Sequence, residues 1–331
     1  MRNSIFTDKE IGMNNTANLQ ERVEILYQEA GSIILGKKDR IREAFLALLA
    51  DGHVLLEDVP GTGKTTLAKV FAQLLSLDNH RIQFTPDVMP SDLTGFSVYH
   101  PDRGEFVYEE GSVFSNLILA DEINRAMPKT QSALLEVMEE RQVTVEGITR
   151  KLPAPFLVIA TGNPYGAVGT ELLPEAEIDR FLISMTLGYP SLEDEIQMAM
   201  KEDRTHAIEK LQPVFSREEF LEMQQAVESV YIADSIYPYL TELVRKTREK
   251  TKVLQGASPR ATIALVRMAR ASAYADGRDY VTPSDVMQQF PYVVRHRIQL
   301  SKDAREAQLG KDDVIEEILK EVPVPKGGEM A

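Results

Sequence analysis

His53-Val54-Leu55-Leu56-Glu57-Asp58-Val59-Pro60-Gly61-Thr62-Gly63-Lys64-Thr65-Thr66 is the stretch whose reading decides the fold. It reads as a buried strand, a phosphate-sized loop and the start of a helix. His53 to Leu56 are apolar or β-prone, and Leu67, Val70, Phe71 and Leu74 follow at i, i+3, i+4, i+7, which gives the next helix one apolar face. Backbone N–H groups at such a helix start reach an anion only where no Cβ intervenes, which is the use of Gly61 and Gly63. Lys64 is placed to reach β- and γ-phosphates and Thr65 to offer a hydroxyl to Mg²⁺, with Pro60, Thr62 and Thr66 completing the loop. Asp58 stands where the first glycine of G-x-x-x-x-G-K-[ST] belongs.

Downstream, Asn116 to Glu122 is a continuous apolar run ending in two carboxylates, the pattern of a buried parallel strand with acids at its C-terminal end. Ligands of open α/β sheets bind at those ends, so Asp121 and Glu122 are expected beside the phosphate loop. Asp121 is then a Mg²⁺ ligand, usually through water, and Glu122 orients and deprotonates the attacking water. Phe156 to Thr161 is a second buried strand followed by Asn163-Pro164. That asparagine is either a contact to phosphate and water or a turn former before proline. Leu173 to Phe181 reads as a short helix ending in Arg180, either a surface cation or an arginine supplied to a neighbouring subunit's nucleotide.

Two alternating stretches interrupt this α/β order. Phe96, Val98, Tyr99 and Phe106, Val107, Tyr108 flank His100 to Gly104, and Val143, Val145 and Ile148, Arg150 flank Glu146-Gly147, so each predicts a β-hairpin. Ile33 to Gly36 is either a wall beside an adenine or ordinary core. From Tyr189-Pro190 the β signals fade and helices follow. Ser216 with Glu219 is a capping box, Ser258-Pro259 and Thr282-Pro283 open further helices, and Arg260 falls in a first turn, where it opposes the helix dipole unless it meets an anion. The expected layout is a polar lead-in over 1–17, an α/β core over 18–189, a small all-helical domain over 190–320 and a tail over 321–331.

Composition bounds the function. A chain of 331 residues with 37 basic and 51 acidic residues carries a formal charge of −14, which argues against unspecific coating of nucleic acid. There is no cysteine, so disulfides, zinc-thiolate sites and thiol catalysis are excluded. No apolar run reaches the roughly 18 residues of a membrane span, and a soluble, cytoplasmic protein is expected.

The blocks from Gly52 to Thr65, Pro90 to Gly95, Ala120 to Ala126 and Leu173 to Phe181 together resemble the MoxR family of AAA+ ATPases, over about residues 18 to 318. The resemblance implies ATP and Mg²⁺ as nucleotide and metal. It assigns Lys64 and Thr65 to Walker A, Asp121 and Glu122 to Walker B, Asn163 to sensor 1, Arg180 to the arginine finger and Arg260 to sensor 2. It makes the hairpins pore-lining insertions of a ring, expected to be a homo-hexamer, that acts on a protein partner such as a von Willebrand factor A domain protein. Family loops often lack the first Walker glycine, as at Asp58, whereas Gly162 departs from the usual glutamine. A nucleic-acid motor or a metal-chelatase motor subunit shares this core. Acids outnumber bases between Ser97 and Gly111, and three bases face one acid between Arg141 and Lys151, a weak basic signal for a DNA tracker.

Overall fold

Short, continuously apolar segments form strands that are covered on both faces. The computed structural model describes residues 6–58, 61–102, 104–162, 173–200 and 204–325, the side chains of 6–17, 175–176 and 204–206 aside. Two helices, α1 (Phe6–Ile33) and α2 (Lys38–Leu49), precede β1 (Val54–Glu57). α3 (Lys64–Leu74) leads to β2 (Asn79–Gln83). A short α4 (Pro90–Thr94) and the hairpin β3 (Phe96–His100) and β4 (Glu105–Glu109) precede β5 (Leu117–Asp121). α5 (Pro128–Glu140) and the hairpin β6 (Gln142–Val145) and β7 (Ile148–Lys151) precede β8 (Leu157–Gly162), and α6 (Glu175–Ile178) enters β9 (Ile183–Met185).

The order β2-β5-β8-β1-β9 makes one parallel sheet. Because side chains alternate along a strand, Val54, Leu56, Leu117, Leu119, Leu157 and Ile159 enter one core, while Leu55, Ile118, Ala120, Val158 and Ala160 enter the other. The first core continues into α1, α2, α3 and the C-terminal helices, and Ile34 is buried within it. The second lies under Leu134, Leu135 and Met138 of α5. Each fully buried leucine contributes about 2 kcal/mol of transfer free energy, so the sheet is a stiff platform for whatever stands at its ends.

Both hairpins form. Glu146 (φ 53°) and Gly147 (φ 75°) turn the second through two left-handed residues, the geometry that matches strand twist. Ser97 Oγ donates to Glu146 at 2.7 Å and the Arg150 guanidinium lies 3.6 Å over the Tyr108 ring, so the two hairpins form one unit.

The remaining chain is mostly helical: α7 (Leu192–Met200), α8 (Arg204–Glu209), α9 (Arg217–Glu228), α10 (Ile236–Glu249), then β10 (Val253–Gln255), α11 (Pro259–Ala275), α12 (Pro283–Val294), β11 (Gln299–Leu300), α13 (Lys302–Glu306) and α14 (Lys311–Glu321). Ser216 and Glu219 make the expected capping box, as do Thr282 and Asp285. Two features differ from the sequence reading. β10 and β11 pair antiparallel within the region expected to be all helix. α1 starts at Phe6, inside the stretch expected as a lead-in. Adding residues to an existing helix costs far less than nucleating one, and no proline interrupts 6–17. Among the described residues no helix is long and apolar enough to cross a membrane.

Candidate functional site

In a parallel sheet all C-terminal strand ends share one edge, and there the loop after β1 meets the ends of β2, β5 and β8. Gly61 (φ 87°) and Gly63 (φ 96°) adopt left-handed backbone that favours glycine, and Gly63 caps α3. Among the described residues, no atom lies within 4 Å of where a Cβ on either glycine would stand, so the space beside both is open. Lys64, Thr65 and Thr66 form the first turn of α3, whose free N–H groups and dipole favour an anion. Lys64 Nζ donates to the Asp58 carbonyl at 2.8 Å. Half-burial pulls its ammonium below the ordinary lysine value, while the Asp58, Asp121 and Glu122 carboxylates pull the other way. Asp58 explains its own departure from the motif: its buried carboxylate accepts from Leu187 N at 2.6 Å and Gly188 N at 2.8 Å, tying the loop to the exit of β9.

Asp121 ends β5 with 9 % exposure. Its Oδ1 accepts from the Thr161 hydroxyl at 2.7 Å, and its Oδ2 from Arg81 Nε and NH2 at 3.2 and 2.7 Å. The same Thr161 oxygen accepts from Glu122 N at 2.8 Å, so β8 fixes both acids. Glu122 has left-handed backbone (φ 57°), and its Oε2 accepts from Arg125 at 2.7 Å and Gln83 at 3.0 Å. An anion cradle, a lysine amine, a threonine hydroxyl and two carboxyl groups fit a nucleoside triphosphate with a divalent cation. Among the described residues no three metal-ligating side chains stand together. A cation held by Thr65 and Asp121 would take its other oxygens from phosphate and water. Pro60 and Asn163 lie outside the described residues.

Arg180 and Arg260 stand elsewhere. They line a cleft of about 550 Å³ with Asp51, Gly52, His53 and Leu182, the residues leading into β1 and β9. That is the N-terminal edge of the sheet. β1 alone separates the two edges by about 13 Å. The anion that Arg260 meets is the protein's own: Glu139 accepts from Arg260 NH2 at 2.7 Å and pairs with Arg180 NH1 at 3.1 Å. His53 closes the cleft floor. Its Nδ1 accepts from Val158 N and its Nε2 donates to the Met138 carbonyl, both at 3.0 Å, and burial pushes its pKa down to about 3. The ring is neutral and structural.

Arg81, Gln83, Thr161, Glu139 and Asp179 escaped the sequence reading. Gln83 and Thr161 were recoverable, since the end of any strand adjacent to the one bearing Asp121 falls beside it. Glu139 carried no signal beyond one acid on a helix.

Comparison with known proteins places this geometry. The family model for ATPases associated with various cellular activities matches residues 53–183, and that for the AAA lid domain matches residues 245–318. The chain is 46 % identical to the Bacillus subtilis protein YeaC over 293 residues, covering 88 % of this chain and 92 % of that one. It is 40 % identical to the chaperone MoxR1 of Mycobacterium tuberculosis over 307 residues, covering 90 % and 81 %. A crystal structure of a candidate ATPase from Cytophaga hutchinsonii superposes with a TM-score of 0.88 at 37 % identity, covering 96 % of this chain and 99 % of that one.

Proposed function

Because the chain belongs to the MoxR family of AAA+ ATPases, we propose that it hydrolyses ATP in a homo-oligomeric ring, expected to be a hexamer, whose active sites form between subunits, and that it uses the turnover to remodel or activate a protein partner. The observation that carries this reading is the placement of the arginine pair at the sheet edge opposite its own phosphate loop. β1 stands between Arg180 and Arg260 and their own subunit's phosphate loop. A neighbour docked on that edge would present its nucleotide to them.

Within one subunit, Gly61 to Thr66 hold the phosphates, Lys64 neutralises the β and γ groups, and Thr65 and Asp121 hold Mg²⁺. Bound Mg²⁺ supplies charge neutralisation on the phosphate oxygens. Glu122 takes a proton from the attacking water at its carboxylate, and Gln83 and Arg125 hold that carboxylate in place. Asn163 is assigned to orienting the same water. The neighbour's Arg180 and Arg260 donate to the charge that develops on the γ-phosphoryl oxygens, a positioning and electrostatic task rather than covalent chemistry. The joined hairpins offer the partner a surface. Tyr99 and Phe106 are 51 % and 72 % exposed with ring centroids 5.2 Å apart, an apolar grip suited to a protein chain. A von Willebrand factor A domain protein is the partner the family suggests, and the cytoplasm the compartment.

The test is ATP hydrolysis against protein concentration for wild type, Glu122→Gln and Arg180→Ala. Activity per subunit should rise with concentration. Each variant should bind ATP and fail alone, and mixing the two should restore turnover through interfaces that pair an intact Glu122 with an intact Arg180. Normal hydrolysis by Arg180→Ala, with activity per subunit independent of concentration, would refute the shared site.

A further inference from the structure

We infer that Asp179 is a positioning residue that holds Arg180 and Arg260 in register as one unit, an inference that rests on the shared-site reading above. Its carboxylate joins two elements far apart in sequence. Oδ1 accepts from Arg297 Nε at 2.6 Å, and Oδ2 accepts from the Ser258 hydroxyl at 2.8 Å. Ser258 is the N-cap of α11, and its Oγ accepts from the Arg260 N–H at 3.1 Å. The route from one arginine to the other is therefore a single peptide bond, one carboxylate, one hydroxyl and one amide. A hydroxyl that donates to Asp179 while accepting from Arg260 uses its one proton and one lone pair in opposite directions, which fixes its rotor.

The other oxygen anchors the loop itself. The Arg297 side chain, 3 % exposed, also donates to the carbonyls of Asp179 at 3.0 Å, Phe181 at 2.6 Å and Leu182 at 3.1 Å. The residues on both sides of Arg180 are thus clamped by a guanidinium that follows α12, while the Arg180 side chain reaches into the cleft. An isosteric asparagine would keep one acceptor oxygen and turn an NH2 group toward either Arg297 or Ser258. It would also leave a buried guanidinium without its countercharge. The loop and the start of α11 would then lose their common reference, and a neighbour's γ-phosphoryl group would meet two arginines that no longer arrive together.

The experiment adds Asp179→Asn and Ser258→Ala, in the full chain, to the mixing assay. Asp179→Asn should bind ATP and assemble as wild type does, lose about ten- to a hundredfold in kcat, and regain turnover when mixed with Glu122→Gln, whose subunits present an intact arginine pair. A subunit that is merely misfolded is not rescued in that way. Ser258→Ala, which removes one of the two carboxylate bonds, should show a smaller loss and the same rescue, and it carries the test should Asp179→Asn fail to fold. Wild-type kcat in Asp179→Asn, or a loss that mixing does not repair where that of Arg180→Ala is repaired, overturns the positioning role alone. Wild-type turnover in Arg180→Ala overturns the shared site and this inference with it.

Discussion

Arg180 and Arg260 donate to opposite oxygens of a single carboxylate, Glu139, at 3.1 and 2.7 Å. The three side chains are 31 %, 49 % and 42 % exposed, and ion pairs this open are worth about 0–1 kcal/mol each. A triphosphate carries more charge than one carboxylate and would displace it. Under the proposed shared site, Glu139 would act as a weak competitor that keeps the arginines paired until a neighbour's nucleotide arrives. Glu139→Gln should lower the protein concentration for half-maximal ATP hydrolysis by about two- to tenfold, with the KM for ATP unchanged. A fall in kcat like that of Arg180→Ala would mean instead that Glu139 aims the arginines, and would sink the competitor role.

Asp58 replaces a motif glycine and does so with its carboxylate against two backbone N–H groups, Leu187 and Gly188. Alanine there would strand both donors in a buried setting, at a cost of about 2–4 kcal/mol. Asparagine keeps one acceptor oxygen and should cost less. Because the Asp58 carbonyl also receives Lys64, the alanine variant should raise the KM for ATP as well. Urea unfolding reads the first effect and steady-state kinetics the second. An unfolding midpoint at the wild-type value for Asp58→Ala would show that the brace is not stabilising.

How much of this was legible follows from the range of the interactions. The strand before Gly61 and the strand ending in Asp121 were readable because a parallel strand buried on both faces is apolar throughout, and its neighbours along the chain are helices. The hairpin at Glu146-Gly147 was readable because two left-handed residues in a row leave few sequence choices. The contacts of Asp179 were not readable, since its partners Ser258 and Arg297 lie 79 and 118 residues away and only the fold brings them in. The pairing of β10 with β11 was hidden for the same reason: three and two residues make too short a pattern to show alternation.

Arg81 occupies Asp121 Oδ2 at 2.7 Å, the oxygen a cation at this edge would compete for. The arginine is 49 % exposed and its partner 12 %, so it can swing away at little cost. Arg81→Met keeps the aliphatic stem and removes the competing charge. The Mg²⁺ concentration for half-maximal hydrolysis should fall by about two- to fivefold, read by titrating Mg²⁺ at saturating ATP. A higher Mg²⁺ requirement in the variant would show that Arg81 orients Asp121 rather than competing for it.

Stability should decline on mild acidification through two buried imidazoles, opposed by one carboxyl. Burial holds His53 at about 3 and His296 well below its ordinary value, so both stay neutral in the fold. The unfolded chain takes up a proton at each as pH falls below about 6.5. Stability from these groups is therefore full above that value and lost as pH falls. Glu43 runs the other way: burial, only partly offset by Arg42, raises it to about 7. The fold keeps a proton there that the unfolded chain releases above about 4.5, which favours the fold on acidification. Averaged between about pH 5 and 6.5, these three groups together take up a little under one proton on unfolding, so their contribution to stability should fall by about 1 kcal/mol for each unit of acidification. Glu43→Gln removes the opposing carboxyl, and its slope over the same window should be about twice as steep. Urea unfolding at pH 5.0, 5.75 and 6.5 measures both slopes; equal slopes would show that Glu43 is ionised in the fold.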